Sequence, residues 1–513
     1  MTATTPGRAM PAGTAAWAAR FGAELGPAAF GPLGATGLTV SRLGFGGYRV
    51  DDETAEHRAA LERALLAGVN VIDTSTNYTD GGSERLVGAV LGDLIGQGRL
   101  SREEVVVVSK IGYVQGRNLA LAREREGAGR PFPEMVKYMD GVWHCLHPEF
   151  LRDQLGRSLD RLRLGTLDVC LLHNPEYFFS DAKRRHAGPL AALRDEFYRR
   201  VGEAFRFFEG QVGAGTLAWY GVSSNTVAAP PDGPESTSLP RLLAAARDAV
   251  GPGHHFRVLQ LPVNLFESAG ALEVTGEPSA TVLECATRDA IGVLVNRPLN
   301  AIVGSGMLRL ADVRVDGDGV PLESGLAAVA ALEEEYQREI APGIRVSGDS
   351  TPPEHFFRWA EQLAVLRGRV QTLTHWADIE GQIAGLVHQV VRTLDVGLAD
   401  PLGDRWGGWR ERYLPALGGL LDGFRREAAR RSQARSRAVA EAVDPWLPAE
   451  RRGESLSRKA LWVLASTPGV SVVLNGMRAE AYVEDVLGIL RWPPLPEPRR
   501  VYEAVRRLTP PRA

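Results

Sequence analysis

Three polar residues close runs that are otherwise mostly apolar and β-branched, and a fourth follows at short range. Asp73 ends Val69-Asn-Val-Ile-Asp73, Lys110 ends Val105-Val-Val-Val-Ser-Lys110, His173 ends Leu167-Asp-Val-Cys-Leu-Leu-His173, and Tyr78 stands five residues beyond Asp73. These side chains suit one kind of chemistry, delivery of a proton to a carbonyl oxygen as hydride reaches its carbon. A phenol with a pKa of about 10 is a slow donor unless its surroundings tune it. A lysine ammonium beside it favours the phenolate and lowers that pKa, a buried carboxylate pairs the lysine, and a histidine orients the substrate oxygen. Each residue also has an ordinary use: an Asp after a strand caps a helix or shapes a turn. A lone Lys or His there more often serves packing. Their common placement at the ends of consecutive strand–helix units is what favours chemistry.

The elements that must position them follow a regular rhythm. From Gly34 onward, short β-branched runs alternate with stretches of helical period, the pattern of βα units around a parallel sheet. The runs are Leu38–Gly47, Val69–Asp73, Val105–Lys110, Leu167–His173, Leu217–Ser223, Val258–Gln260, Ile291–Val295 and Val470–Leu474. Helices are expected over Glu53–Leu66, Glu149–Arg163 and Leu456–Ala465. Eight near-continuously apolar parallel strands predict an α/β fold closed as a (β/α)8 TIM barrel rather than an open sheet. Catalytic groups then belong at the C-terminal ends of the strands, where Ser223 and Gln260 join the four residues above.

Two segments break the rhythm. Residues 111–147 form a long connection after the third strand, rich in Arg, Gly and Pro. Residues 305–453, between the seventh and eighth strands, read largely as helix. Leu363, Leu366, Val370, Leu373, Trp376, Ile379, Ile383, Leu386 and Val390 make one apolar stripe of about seven turns. Leu322–Ile340 and an Arg-rich stretch, Tyr413–Val443, add two more helices. A connection of this length calls for structure of its own. The expected organisation is an N-terminal extension over 1–33 and barrel strands one to seven, with an N-terminal hairpin, over 34–304. A large helical insertion over 305–453 follows, then the final helix–strand–helix and C-terminal tail over 454–513.

The local motifs resemble the aldo-keto reductases. Asp73-Thr-Ser-Thr-Asn-Tyr78 looks like that family's Asp-Thr-Ala-x-x-Tyr, and Gly82-Ser83-Glu84-Arg-Leu-Val-Gly88 like the Gly-x-Ser-Glu-x-x-x-Gly that follows it. Leu159-Asp-Arg-Leu162, Leu167-Asp168 and Leu172-His173 are similar to its Ser-Leu-x-x-Leu, Leu-Asp and His block. The resemblance covers about 34–300 and 455–495. It implies a catalytic tetrad of Asp73, Tyr78, Lys110 and His173 and a nicotinamide cofactor bound without a Rossmann fold. By the same resemblance, Gly46 and Gly47, Ser223, Ser224, Gln260 and Leu299 face the cofactor, and Gly476, Arg478 and Asp485 receive its adenosine end. The pattern is broken at Ser224, where Asn is usual, at Val486, and at Asn296, where an aromatic ring normally stacks on the nicotinamide. Arg478 offers a fork suited to a phosphate, so NADPH is the expected cofactor, with NADH the alternative.

Composition sets limits on the rest. With 59 Lys and Arg against 62 Asp and Glu, the net charge of −3 argues against a nucleic-acid binder. No apolar run approaches the ~20 residues of a membrane helix. The Ala-, Gly- and Pro-rich start lacks the basic and apolar segments of a secretory signal, so a cytoplasmic enzyme is expected. Three scattered cysteines imply no disulfide framework. Trp143-His144-Cys145-Leu146-His147 fits no zinc spacing, and no metal is expected. Trp143 and Tyr177-Phe-Phe179 are candidates for a substrate pocket. The leading reading is an NAD(P)H-dependent reductase of an aldehyde or ketone, or a dehydrogenase of the corresponding alcohol or sugar, with Tyr78 as general acid and base. The alternative is a cofactor-sensing regulatory subunit with weak catalysis. The insertion would serve as a partner surface, as a homo-oligomer contact or as a lid.

Overall fold

Period-two alternation along each apolar run decides which side chains line the barrel. In the computed structural model, which describes residues 4–275, 279–304, 306–315, 317, 319–345 and 351–508, eight strands pair in parallel. They are β1 (Leu43–Gly46), β2 (Val71–Asp73), β3 (Val106–Ile111), β4 (Leu167–His173), β5 (Leu217–Ser223), β6 (Phe256–Pro262), β7 (Gly292–Asn296) and β8 (Val472–Asn475). Each pairs with the next in chain order, and β8 closes on β1. Val71, Val106, Val108, Val169, Leu171, Val258, Leu294 and Val472 pack together as the barrel interior. The same alternation carries Asp73, Lys110, His173, Gln260 and Asn296 to the inward side, one layer further toward the C-terminal ends.

The chain divides into two units, one running to Leu299 and resuming at Trp446, the other Asn300–Pro445. No structural boundary falls at residue 33. The run Leu38–Gly47 is interrupted, because Thr39–Ser41 pairs antiparallel with Phe30–Pro32 before β1 begins. Ala9, Leu33, Leu38 and Val40 join the interior cluster, and the buried Trp17 donates its indole N–H to the Gly68 carbonyl at 2.9 Å. The segment before residue 34 is therefore part of the barrel's own core. The connection after β3 also has its own structure, a helix over Gly116–Gly127 and a three-stranded antiparallel sheet of Tyr113–Val114, Val142–His144 and Val136–Met139.

The second unit opens on a hairpin, Asn300–Val303 with Gly306–Arg309, and continues in helices Leu322–Glu339, Trp359–Leu366, Leu373–Gly397 and Leu402–Val443. The apolar stripe expected as one helix is thus two. Thr372 starts the second by accepting the His375 N–H, and Arg431 donates to the carbonyls of Arg367 and Val370 between them. The unit has a separate core in which Tyr336, Phe357, Trp376, Trp409 and Tyr413 are fully buried. Within it Glu333 accepts from the Tyr413 hydroxyl and the Trp359 N–H, each at 2.8 Å. Among the described residues no helix is long and apolar enough to cross a membrane.

Two buried carboxylates bind the barrel's layers. Glu84 accepts from Ser109 on β3, from Ser158 and from Arg161, so it ties helix Gly82–Gly96 to β3 and to helix Pro148–Leu162. Those helices approach so closely that a Cβ on Gly88 would lie 2.6 Å from the Arg161 and Leu162 carbonyl oxygens. Asp168, fully buried on β4, accepts from the N–H of Ala9 at 2.7 Å and of Val107 at 2.8 Å, and pairs with Arg102 at 2.6 Å. Removing one side of a buried, hydrogen-bonded ion pair typically costs about 3–5 kcal/mol. Asp168→Ala should therefore lower the unfolding free energy of the barrel by about that amount, measured by urea denaturation followed at its tryptophans.

Candidate active site

Lys110 is the centre of the site. It is fully buried at the inner face of β3, and its ammonium has three donors to place. One goes to Asp73 Oδ2 at 2.7 Å, one to the Thr74 carbonyl at 2.8 Å, and one to the Tyr78 hydroxyl oxygen at 3.1 Å. Asp73 is held from its other side by Gln260 Nε2, which donates to Oδ1 at 2.8 Å. Gln260 Oε1 in turn accepts from Ser223 at 3.1 Å and from Asn296 Nδ2 at 3.2 Å. One residue from each of five strands thereby shares a single hydrogen-bonded chain.

Tyr78 reaches this point by a strained turn. Thr79 and Asp80, directly after it, both have left-handed backbone angles, φ 47° and 53°. A β-branched residue in that region costs on the order of 1–3 kcal/mol unless its surroundings impose it. Here the Thr79 hydroxyl donates to the Val50 carbonyl at 2.7 Å, and Asp80 accepts from the Arg117 N–H at 3.0 Å. The phenol is further set by Tyr48, edge to face at 5.2 Å between centroids, and by the Lys110 ammonium 4.6 Å from its ring centre. Because Lys110 donates to the phenol oxygen, the phenol's own proton remains for another acceptor.

The charges do not act as the sequence alone suggests. Burial, then the Asp73 charge, hold the Tyr78 phenol well above its ordinary pKa, so the expected lowering by Lys110 is absent. Desolvation outweighs the attraction because an oxyanion here would also face a carboxylate. Burial likewise raises Asp73 and lowers Lys110, while their mutual attraction opposes both shifts. Tyr78 is consequently a protonated phenol at neutral pH, the form a donor needs. His173 is pushed well below its usual value by burial and by the Lys110 charge, so its ring is neutral.

His173 sits in an aromatic and polar collar. Tyr113 packs edge-on against it at 4.6 Å, and its carbonyl accepts from His144 Nε2 at 2.7 Å. Its Nδ1 lies 3.1 Å from Ser75 Oγ. Tyr177 packs on Tyr113 and Tyr138, whereas Phe178 and Phe179 turn into a cluster with Phe197. Trp143 lies in the antiparallel sheet, with Lys137 and Arg123 over its ring. Among the described residues no group of His, Cys, Asp or Glu is assembled to hold a metal.

The other sequence-derived positions divide into two groups. Gly46, Gly47, Ser223, Gln260 and Asn296 lie at the mouth with the tetrad. A Cβ on Gly47 would come within 2.6 Å of Ser83 Oγ and 2.8 Å of the Asp73 carbonyl oxygen, so the residue that follows β1 must lack one. Leu299 is buried just past β7. Ser224 is turned into its own loop, its hydroxyl 2.8 Å from Thr237 Oγ1 and accepting the Thr226 N–H. Beyond β8, Gly476 and Arg478 are exposed in the loop before helix Glu480–Leu487, and Asp485 accepts from Ser457 at 3.2 Å. Sequence reasoning missed Ser75, Asn77, Tyr48 and Tyr113. The run Thr74-Ser-Thr-Asn77, wholly polar between Asp73 and Tyr78, was the available signal for the first two.

Residues 42–229 match the model of the Aldo/keto reductase family. An NADH-specific methylglyoxal reductase from Escherichia coli (strain K12) is 31% identical over 150 residues, 28% of this chain and 40% of that protein. A D-threo-aldose 1-dehydrogenase from Pseudomonas sp is 27% identical over 295 residues, 55% of this chain and 72% of that protein. Among solved structures, a glycerol dehydrogenase from Gluconobacter oxydans aligns with 95% of this chain and 97% of its own at 16% identity, with a TM-score of 0.47. The chain spans less than half the length of the methylglyoxal reductase it matches.

His144 provides a test of the collar. Burial holds its pKa at about 4, against an ordinary value of about 6.5. Between those values the unfolded chain binds the proton and the folded chain does not, so the contribution of His144 to stability is lost as pH falls through that window. The corresponding free energy is about 3 kcal/mol. Glu176, raised to about 7, acts in the opposite sense across an overlapping range. The informative quantity is therefore a difference. The stability gap between wild type and His144→Gln should widen from pH 4 to pH 6.5 and stay level above it, as read by urea unfolding at each pH.

Proposed function

We propose that this protein is an NAD(P)H-dependent oxidoreductase that interconverts an aldehyde or ketone with its alcohol, with Tyr78 as general acid and base. The observation that carries this reading is the Lys110 ammonium joining Asp73 and Tyr78 in one buried chain beside a neutral His173. When bound, the nicotinamide cofactor would supply or take up the hydride at the substrate carbon. Tyr78 would give its proton to the carbonyl oxygen or, in the other direction, receive it. Lys110 would stabilise the phenolate left behind, and Asp73 would keep the lysine charged in its buried position. His173 would fix the direction of the substrate oxygen.

The residues present fit a nicotinamide carboxamide. Among the described residues, Asn296 Oδ1 is buried with no hydrogen-bond partner, beside the Gln260 amide and the Ser223 hydroxyl. A buried acceptor left unpaired costs roughly 1–3 kcal/mol, which an amide N–H2 of the cofactor would recover. Ser223, Gln260 and Asn296 would hold the carboxamide, with Gly46, Gly47 and Leu299 along the bound chain. Gly476, Arg478 and Asp485 would receive the adenosine end. The relatives named for methylglyoxal and aldose substrates support a small carbonyl or hydroxyl compound, and the NADH-specific one keeps NADH open beside NADPH.

Tyr78→Phe should reduce turnover of any accepted carbonyl at least about 100-fold, the usual scale for a lost general acid. NADPH binding, followed by quenching of tryptophan fluorescence, should change little. Full activity in that variant would remove Tyr78 from the mechanism. Arg478→Ala should weaken NADPH binding about tenfold, the scale of one charge-assisted hydrogen bond, and leave NADH nearly unaffected. Equal losses for both cofactors would exclude a contact with the 2′-phosphate.

A further inference from the structure

The segment that follows β5 is anchored at three successive residues. The Ser223 carbonyl accepts from the Asn174 N–H at 2.7 Å, and the Ser224 N–H donates to the Gln260 carbonyl at 2.9 Å. The Asn225 N–H donates to Glu176 Oε1 at 2.7 Å. The first two bonds join main chain to main chain, whereas the third runs through a titratable side chain. Glu176 is buried three residues beyond His173, directly before helix Tyr177–Arg184. Among the described residues its Oε2 has no hydrogen-bond partner, and no Lys, Arg or His pairs with its charge. Tyr113 and Tyr177 face it as neutral phenols, held up by burial and, to a smaller extent, by the Glu176 charge. Glu235, on the loop after Asn225, opposes a second negative charge and itself lies 3.9 Å from Lys183. Burial pushes the Glu176 carboxyl up to about 7, against the pull of its own N–H, the Asn225 N–H and the Ser224 hydroxyl. Oε1 is taken by the Asn225 N–H, so Oε2 is the atom left to receive a proton.

We propose that Glu176 is a positioning residue for the nicotinamide cofactor: as a carboxylate it pins the Ser223–Asn225 segment beside the turn after His173, and protonation at Oε2 loosens that segment and weakens cofactor binding. The inference rests on the reading of Ser223 as a holder of the carboxamide. Ser223 lies two residues from the Asn225 N–H and pairs in register with His173. A hydrogen bond to a carboxylate is roughly twice as strong as one to a neutral acceptor. Neutralising Glu176 therefore slackens one anchor of the segment and leaves the two main-chain anchors in place. In this scheme Glu176 touches neither cofactor nor substrate; it acts through the main chain of residues 223–225. The cofactor favours the form with Glu176 ionised, so its affinity falls as pH falls through about 7.

The test has one arm without cofactor and one with it. In full-length protein labelled with 15N at asparagine, the Asn225 backbone signal is the one lost in Asn225→Ser. Its amide proton frequency should titrate between pH 6 and pH 8.5 in wild type and stay level in Glu176→Gln, which mimics the neutral acid. NADPH binding is then followed by quenching of tryptophan fluorescence. Wild type should bind about fivefold more tightly than Glu176→Gln at pH 8.5, the scale separating a charge-assisted from a neutral hydrogen bond. At pH 6 the two should bind equally. Both proteins meet the same titration of the cofactor's 2′-phosphate, so the comparison removes it. A residue that merely supports the fold would leave the same gap at both pH values, and that result, or no gap at either, would overturn the proposal. So would a wild-type Asn225 signal that does not titrate, a measurement that stands even if Glu176→Gln does not fold. A titrating Asn225 signal in a protein that binds neither NADPH nor NADH would sink the oxidoreductase reading and the cofactor role of Glu176 with it, and would leave the proton-sensitive contact established.

Discussion

The buried Lys110 ammonium is the constraint on which the site depends. A charge without solvent is tolerated only if its donors are all matched, and here each has a partner within 3.1 Å. Matching them requires β2, β3 and the turn after Asp73 to meet at one place. Asp73 must be desolvated to pair with the lysine, and so needs Gln260 from β6 as well. One cation thus fixes the relation of four separate segments, and the phenol is the member of that set with a proton left to give.

The barrel around it is braced away from the mouth. Asp168 and Glu84 join strands to helices and to the N-terminal segment by hydrogen bonds that leave neither carboxylate exposed. That bracing allows local strain at the site. Two successive left-handed residues after Tyr78 persist because the Thr79 and Asp80 side chains are anchored on either flank. The second unit has a core of its own. Its aromatic core and the buried Glu333 network are complete within residues 300–445.

Electrostatics separates the roles of the polar residues. Tyr78 and His173 are both neutral, for the same reason, since each is buried next to charges that a second charge would oppose. Asp73 and Lys110 carry the charge between them. The partner of the His173 Nδ1, Ser75, comes from the polar run between Asp73 and Tyr78 rather than from the tetrad.

Strand period and residue type were enough to place Asp73, Lys110 and His173 on the inward face at one end of a closed barrel. The period is local, and parallel strands buried on both sides leave little freedom in what faces inward. The five-residue spacing from Asp73 marked Tyr78 as well. What depended on tertiary structure was every quantity set by burial or by a partner distant in sequence. The sign of the Tyr78 shift followed from desolvation, which no pairwise expectation about Lys110 contains. The stripe from Leu363 to Val390 is continuous in spacing, yet it breaks where Arg431, some sixty residues on, takes the carbonyls between its halves. Ser224, where the motif has Asn, holds its hydroxyl 2.8 Å from Thr237 Oγ1, a partner thirteen residues on that local spacing does not reveal. The order and period of residues specified the barrel and the polar layer at its mouth; contacts across the fold decided the charge each member of that layer carries.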